Sequence, residues 1–214
     1  MVAALYVITD GPYFGLADVD PWDEKRDARL YPGPRPVVAH PPCARWGNYW
    51  HGCRPVGHPG RKEKGDDGGC FEAALSAVCE FGGILEHPAH SYAFEYFELE
   101  TPEPGQQWQF AGPVQRDAFY DLESWVVEVE QGHYGHRARK KTWLYAVGKR
   151  PPDIILGPSD KKGKLDTGWH SREERLKRST IRGVVERLSH RERAATPVPF
   201  RDYLLDYART CRAG

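Results

Sequence analysis

At 214 residues the chain is long enough for a single domain with a real core, and its 40 % hydrophobic and 28 % charged residues are those of a soluble globular protein. No stretch approaches the apolar length of a membrane span, and the N-terminal Met-Val-Ala-Ala-Leu-Tyr-Val-Ile lacks the basic start and cleavage site of a signal peptide. Five irregularly spaced cysteines argue against a disulfide scaffold and for free thiols in the cytoplasm. The formal net charge is zero but segregated: Asp10 to Asp27 is acidic, and Arg137 to Arg193 strongly basic. That asymmetry fits either a nucleic-acid face or a solvated cationic surface.

Leu5 to Thr9 reads as a first strand, with a turn at Asp10-Gly11-Pro12 and a loop from Tyr13 to Trp22. Glu24 to Leu30 holds one or two helical turns. Pro36-Val37-Val38-Ala39 is the apolar run of a buried central strand, halted by His40-Pro41-Pro42, so that Cys43 sits on a stiffened loop just past the strand's carboxyl end. Ligands of open α/β sheets bind at that edge. Cys43 is therefore a candidate nucleophile, the alternative being a small buried hydrophobe.

Ala44 to Gly69 is a long loop without periodicity. Phe71, Ala74, Leu75, Val78 and Cys79 recur at helical spacing, ended by Gly82-Gly83. Ile84-Leu85 starts a strand stopped by Glu86-His87-Pro88. Ser91 to Leu99 is helical and Thr101 to Pro113 a loop; Trp125 to Glu130 and Thr142 to Val147 are strands, separated by a turn over Gln131 to Gly135. Pro151 to Arg193 is polar and basic. Thr196-Pro197 opens a final helix with Phe200, Leu204, Tyr207 and Ala208 on its apolar face. The expected fold is α/β with a largely parallel sheet: a core over 1–150, a basic loop-rich segment over 151–195 and a C-terminal helix over 196–214.

Three stretches, in this order and at strand ends, resemble one family, the cytosine-C5 DNA methyltransferases. His40-Pro41-Pro42-Cys43 resembles their Pro-Pro-Cys loop, Leu85-Glu86-His87-Pro88 their Glu-Asn-Val or Glu-Asn-Pro motif, and Tyr134 to Gly148 their Tyr-Gly-x-x-Gln-x-Arg-x-Arg segment with its following strand. The resemblance implies a compact, phage-type, Rossmann-like enzyme. Cys43 would add to C6 of a flipped pyrimidine, and Glu86, its pKa raised by burial, would donate to N3. Arg137 and Arg139 would hold the base carbonyl or phosphates. It also implies S-adenosylmethionine held by a shortened glycine loop at Asp10, Gly11 and Gly15, by Asp20 and Trp22, and by Pro41. Only a few residues separate Gly15 from Asp18, too few for the usual helix and return strand, so this half of the fold is expected to be abbreviated.

DNA is the expected partner, with no membrane and no obligate protein partner. Arg45, Trp46 and Asn48 would contact the base and backbone, and Lys140, Lys141, Lys161, Lys162, Lys164, Arg172 and Arg175 the phosphates. His51, Cys53, His58 and Cys70 are ligand types without a standard zinc spacing, so no metal is expected. Plainer readings stand beside these: a structural Cys43, a capping or salt-bridging Glu86, and a solvated edge for the arginines. A relative that has lost the cofactor site and performs other pyrimidine chemistry, or only binds DNA, is the second functional reading.

Overall fold

The computed structural model describes residues 1–48, 50–51, 56–115, 121–163, 165 and 188–211. Its centre is a seven-stranded sheet flanked by helices on both faces. In chain order the elements are β1 (Val2–Leu5), β2 (Val19–Trp22), β3 (Val37–Ala39), α1 (Cys70–Phe81), β4 (Gly83–Pro88), α2 (Tyr92–Tyr96), β5 (Gln109–Gln115), β6 (Asp121–Glu130), β7 (Lys141–Val147), α3 (His190–Ala194) and α4 (Val198–Thr210). Short 3-10 turns cover Glu24–Arg26, Ala28–Leu30 and Gln131–Tyr134.

The strand order is β2-β1-β3-β4-β7-β6-β5. β2, β1, β3 and β4 run parallel, whereas β7, β6 and β5 add three antiparallel pairings. The sheet is therefore mixed, which corrects the largely parallel expectation. Short connections can join only antiparallel neighbours, and β6 is followed by a single 3-10 turn before β7 rather than by a crossover helix. Two strands fall where loops were expected, β2 and β5. Both lie at sheet edges, where Pro21 and Pro113 are tolerated because no ladder partner needs their missing N–H. β1 ends earlier than expected, because Tyr6 turns into the left-handed region (φ 60°).

Strand alternation divides the core. Val2, Ala4, Val38, Ile84, Leu144 and Ala146 pack with Phe200, Leu204 and Leu205 of α4. Ala3, Leu5, Val37, Ala39, Leu85, Tyr145 and Val147 pack with Phe71, Ala74 and Val78 of α1. The Gly82-Gly83 stop does more than end α1. A Cβ on Gly83 (φ 130°) would lie 2.0 Å from the Val37 carbonyl oxygen, so glycine alone lets β4 approach β3.

The strand directions set the place of the site. β1 leads to β2 on one side and β3 lies on the other, so the order reverses at the carboxyl ends of β1 and β3. That is the crevice where open α/β sheets hold ligands.

Candidate active site

The register of β3 on β4 pairs Ala39 with Leu85. The next residues, His40 and Glu86, are thereby brought side by side on the face shared by Val38 and Ile84. Their side chains meet, with His40 Nδ1 2.9 Å from Glu86 Oε2. The other carboxyl oxygen, Oε1, accepts from Gln131 Nε2 at 2.8 Å, and the same amide nitrogen lies 3.0 Å from Thr142 Oγ1. His40 Nε2 is 2.8 Å from the hydroxyl of Tyr13, a side chain only 2 % exposed. Glu86 itself is 8 % exposed.

Beyond this network lies a cavity of about 430 Å³ at the carboxyl edge of β3 and β4. Cys43 and Glu86 both line it, with His40, Pro41, Pro42 and Pro88. Lys140, Lys141, Thr142 and Arg193 close the other side. The volume falls in the range of small-ligand pockets. Cys43 is exposed, not a packed core thiol. The enclosing walls raise its pKa, Glu86 adds to the rise, and Lys140 opposes it. Burial likewise lowers the pKa of Lys140, while Glu86 and Cys43 draw it back up. Its ammonium group donates to the Ala195 carbonyl at 3.0 Å. Arg193 donates through Nη1 to the Leu165 carbonyl, while its buried Nε has no partner among the described residues.

Glu86 departs from expectation in its protonation. Burial pushes its pKa upward, as the sequence suggested, but the hydrogen bond from His40 and the charges of Lys140 and His40 outweigh burial and bring it down to about 2. The group is a carboxylate held by two donors, not a standing acid.

The arginines expected at the base sit elsewhere. Arg137 is exposed and paired with Glu192, and the guanidinium of Arg139 is exposed 3.9 Å from Glu130. The cations that line the cavity are Lys140, Lys141 and Arg193, and of these Lys140 is assigned from sequence only to phosphate contact. Lys141 also lines the cavity and pairs with Glu128 at 2.9 Å. Lys161 pairs with Asp160, and Lys162 is exposed. Lys164, Arg172, Arg175 and Cys53 lie outside the described residues.

Trp46 is corrected more sharply. It is 2 % exposed, donates its indole N–H to Asp67 at 2.7 Å, and packs on Phe71 and Phe97, so it is core and not a stacking platform. Arg45 is half-buried and donates to the Trp50 carbonyl, and Asn48 is exposed.

The six residues assigned to S-adenosylmethionine do not gather round one cavity. Asp10 and Gly15 are exposed, and Gly11 is folded onto Ile8, whose carbonyl oxygen would meet a Cβ at 2.7 Å. Asp20 is ion-paired with Arg26 and Arg35. Trp22 donates to Asp20, and the Arg26 guanidinium covers its ring at 4.0 Å. Only Pro41 lines the Cys43 cavity. A second cavity, of about 610 Å³, opens on the far side of Pro42, which lines both. Tyr6, Asp23, Glu24, Asp27, Arg29 and Cys70 line this second space. The buried Tyr6 hydroxyl has no partner among the described residues. Asp23 is the acidic residue that follows β2; the reading of the sequence stopped one residue short of it, because the strand itself was not recognised.

His40 and Gln131, whose side chains hold Glu86, are not assigned to the site by the sequence. The one cue to His40 is that a polar residue ends the apolar strand directly before Pro-Pro-Cys. Among the described residues no group of three or more His, Cys, Asp or Glu is placed to hold a metal, and no helix is long and apolar enough to cross a membrane. No protein-family model, curated protein or solved structure matches the chain.

Proposed function

We propose that the chain is a DNA cytosine-C5 methyltransferase-like enzyme, which takes a flipped pyrimidine into the Cys43 cavity and adds the Cys43 thiolate to C6 of the ring. The observation that carries this reading is the convergence of Cys43 and Glu86 on one cavity of about 430 Å³, roomy enough to admit a base. The two residues come from separate strand ends, at an edge where ligands bind. A thiolate is the natural group to add to an electron-poor C6, and the addition makes C5 nucleophilic. In the free enzyme the thiol holds its proton, and Lys140 is the cation beside it that favours the thiolate. Lys140 is also placed to take the base carbonyl, the role the sequence gave to Arg137 and Arg139. Glu86 faces the ring's N3 edge, and Lys141 and Arg193 add positive charge for flanking phosphates.

The second cavity suits the methyl donor in size and charge. Carboxylates from Asp23, Glu24 and Asp27 match a cationic ligand, and the Tyr6 hydroxyl, without a partner among the described residues, offers a polar contact. S-adenosylmethionine, when bound, supplies an electrophilic methyl group on a sulfonium. Against this, Asp23 already accepts from Thr9 and from two backbone N–H groups, and Asp27 is held by Arg29. Those engaged carboxylates favour the second reading, a pyrimidine-modifying relative that forms the same adduct without methylating.

Incubation with an oligodeoxynucleotide containing 5-fluorocytosine separates the two. With S-adenosylmethionine present, methyl transfer leaves fluorine where a proton would depart, so a methyltransferase becomes covalently trapped on Cys43. A relative without a donor site forms no methylated conjugate under any condition.

A further inference from the structure

Glu86 is fixed by two donors and is ionised in the free cavity, so by itself it has no proton to offer N3 of a base. The proton source is legible in the chain of contacts behind it. A carboxylate can only accept, so His40 Nδ1 carries the hydrogen in the 2.9 Å contact. In the neutral ring Nε2 is then an acceptor, and the Tyr13 hydroxyl, 2.8 Å away, donates to it. When the ring takes a proton at Nε2, that hydroxyl rotates and accepts instead. Tyr13 thus serves both protonation states of the imidazole, which phenylalanine could not do. Burial holds the Tyr13 pKa well up, so it remains a hydroxyl throughout.

We propose that His40 is a positioning residue that aims Glu86 and refills it with a proton, so that Tyr13, His40 and Glu86 form one relay running from the buried face of the sheet into the cavity. The proposal rests on the pyrimidine reading above and deepens it. As the Cys43 thiolate adds to C6, a carbon–sulfur bond forms and the displaced ring electrons accumulate towards N3. The imidazolium of His40 passes its Nδ1 proton to the Glu86 carboxylate, and the carboxyl group so formed hands it to N3, leaving a neutral ring whose Nε2–H points at Tyr13. Elimination of the thiolate returns the proton by the same route.

The titratable and charged groups around His40 come from every neighbouring element. They are Tyr13 from the β1–β2 connection, Cys43 from its own loop, Glu86 and His87 from β4, Lys140 from the approach to β7, and Arg193 from α3. Arg201 and Asp202 of α4 face Tyr13.

The test is exchange of the cytosine C5 hydrogen for deuterium in a single-stranded oligodeoxynucleotide in heavy water. This reaction needs C6 addition, delivery of a solvent deuteron to C5, loss of the original C5 proton to solvent and elimination of the thiolate, and no methyl donor. His40→Asn keeps an N–H directed at Glu86 but cannot carry a proton. It should melt like the wild type, lose about 10²-fold or more in exchange rate, and follow a different pH profile of exchange from the wild type. Tyr13→Phe should shift the inflection of the wild-type profile. An unchanged profile with a rate within about threefold of wild type in His40→Asn overturns the relay. Should that variant not fold, an unmoved inflection in Tyr13→Phe overturns it equally. A wild-type protein that exchanges nothing at any pH removes the pyrimidine reading itself, whereas exchange indifferent to His40 removes only the relay.

Discussion

His87 offers a quantitative check on the packing behind the site. It follows Glu86 on β4, points to the opposite face, has 0 % exposure, and meets the edge of Phe71 at a ring separation of 5.0 Å. Neither ring nitrogen has a hydrogen-bond partner of good geometry among the described residues. Burial lowers its pKa from 6.5 to about 4, with Glu86 and the Pro42 backbone pulling the other way. As the pH falls below about 6.5 the unfolded chain takes up a proton here, and the folded protein does not until about pH 4. The contribution is therefore complete above about 6.5 and is lost as the pH falls towards 4. Between about pH 7 and pH 5 the loss amounts to about 2 kcal/mol. Urea denaturation at the two pH values, on the wild type and on His87→Leu, isolates the effect, since other groups titrate in both. The variant should be at least as stable as the wild type near neutrality, because two unpaired polar atoms are gone. It should also lose about 2 kcal/mol less on acidification. Equal losses in the two proteins would refute the reasoning.

Gly83→Ala should cost about 3 kcal/mol or more by chemical denaturation, because the methyl group meets the Val37 backbone and the backbone conformation is itself unfavourable for alanine. Trp46→Ala should cost about 3–5 kcal/mol of stability, as a core aromatic does, where a stacking residue on the surface would leave the melting temperature alone. Lys140→Met should slow C5 exchange by about 10- to 100-fold, the worth of one charge-assisted hydrogen bond, while Arg137→Ala and Arg139→Ala leave it within about threefold. Affinity for the oligodeoxynucleotide should fall steeply with salt as phosphate contacts release counterions; a flat salt response in a fluorescence anisotropy titration would exclude a backbone-binding mode.

The parts of the site legible in the sequence are those written as local punctuation. Val37 to Ala39 and Ile84-Leu85 are apolar runs each stopped by proline, and that pattern placed Cys43 and Glu86 at one edge of one sheet. Phe71, Ala74 and Val78 marked α1, and Phe200, Leu204, Tyr207 and Ala208 marked the buried face of α4. The unread parts depend on pairing across the sheet. β2 and β5 contain prolines that argue against a strand until their edge positions are known. His40 and Gln131 acquire meaning only through the register that sets them against Glu86. Trp46 lies in an aperiodic loop, and only the fold shows that the loop carries it under α1 and α2. The protonation of Glu86 is hidden from the sequence for the same reason. Burial was foreseeable, but the His40 donor that overrides it was not.

Deuterium incorporation at cytosine C5, measured side by side for the wild-type protein and Cys43→Ser, tests the central claim most directly. The account predicts exchange by the wild type and none by Cys43→Ser, with DNA affinity and thermal stability of the variant close to those of the wild type, since a hydroxyl is a far weaker nucleophile than a thiolate near neutral pH. Exchange that survives in Cys43→Ser, or a wild-type protein that binds DNA yet never exchanges the hydrogen, would contradict it.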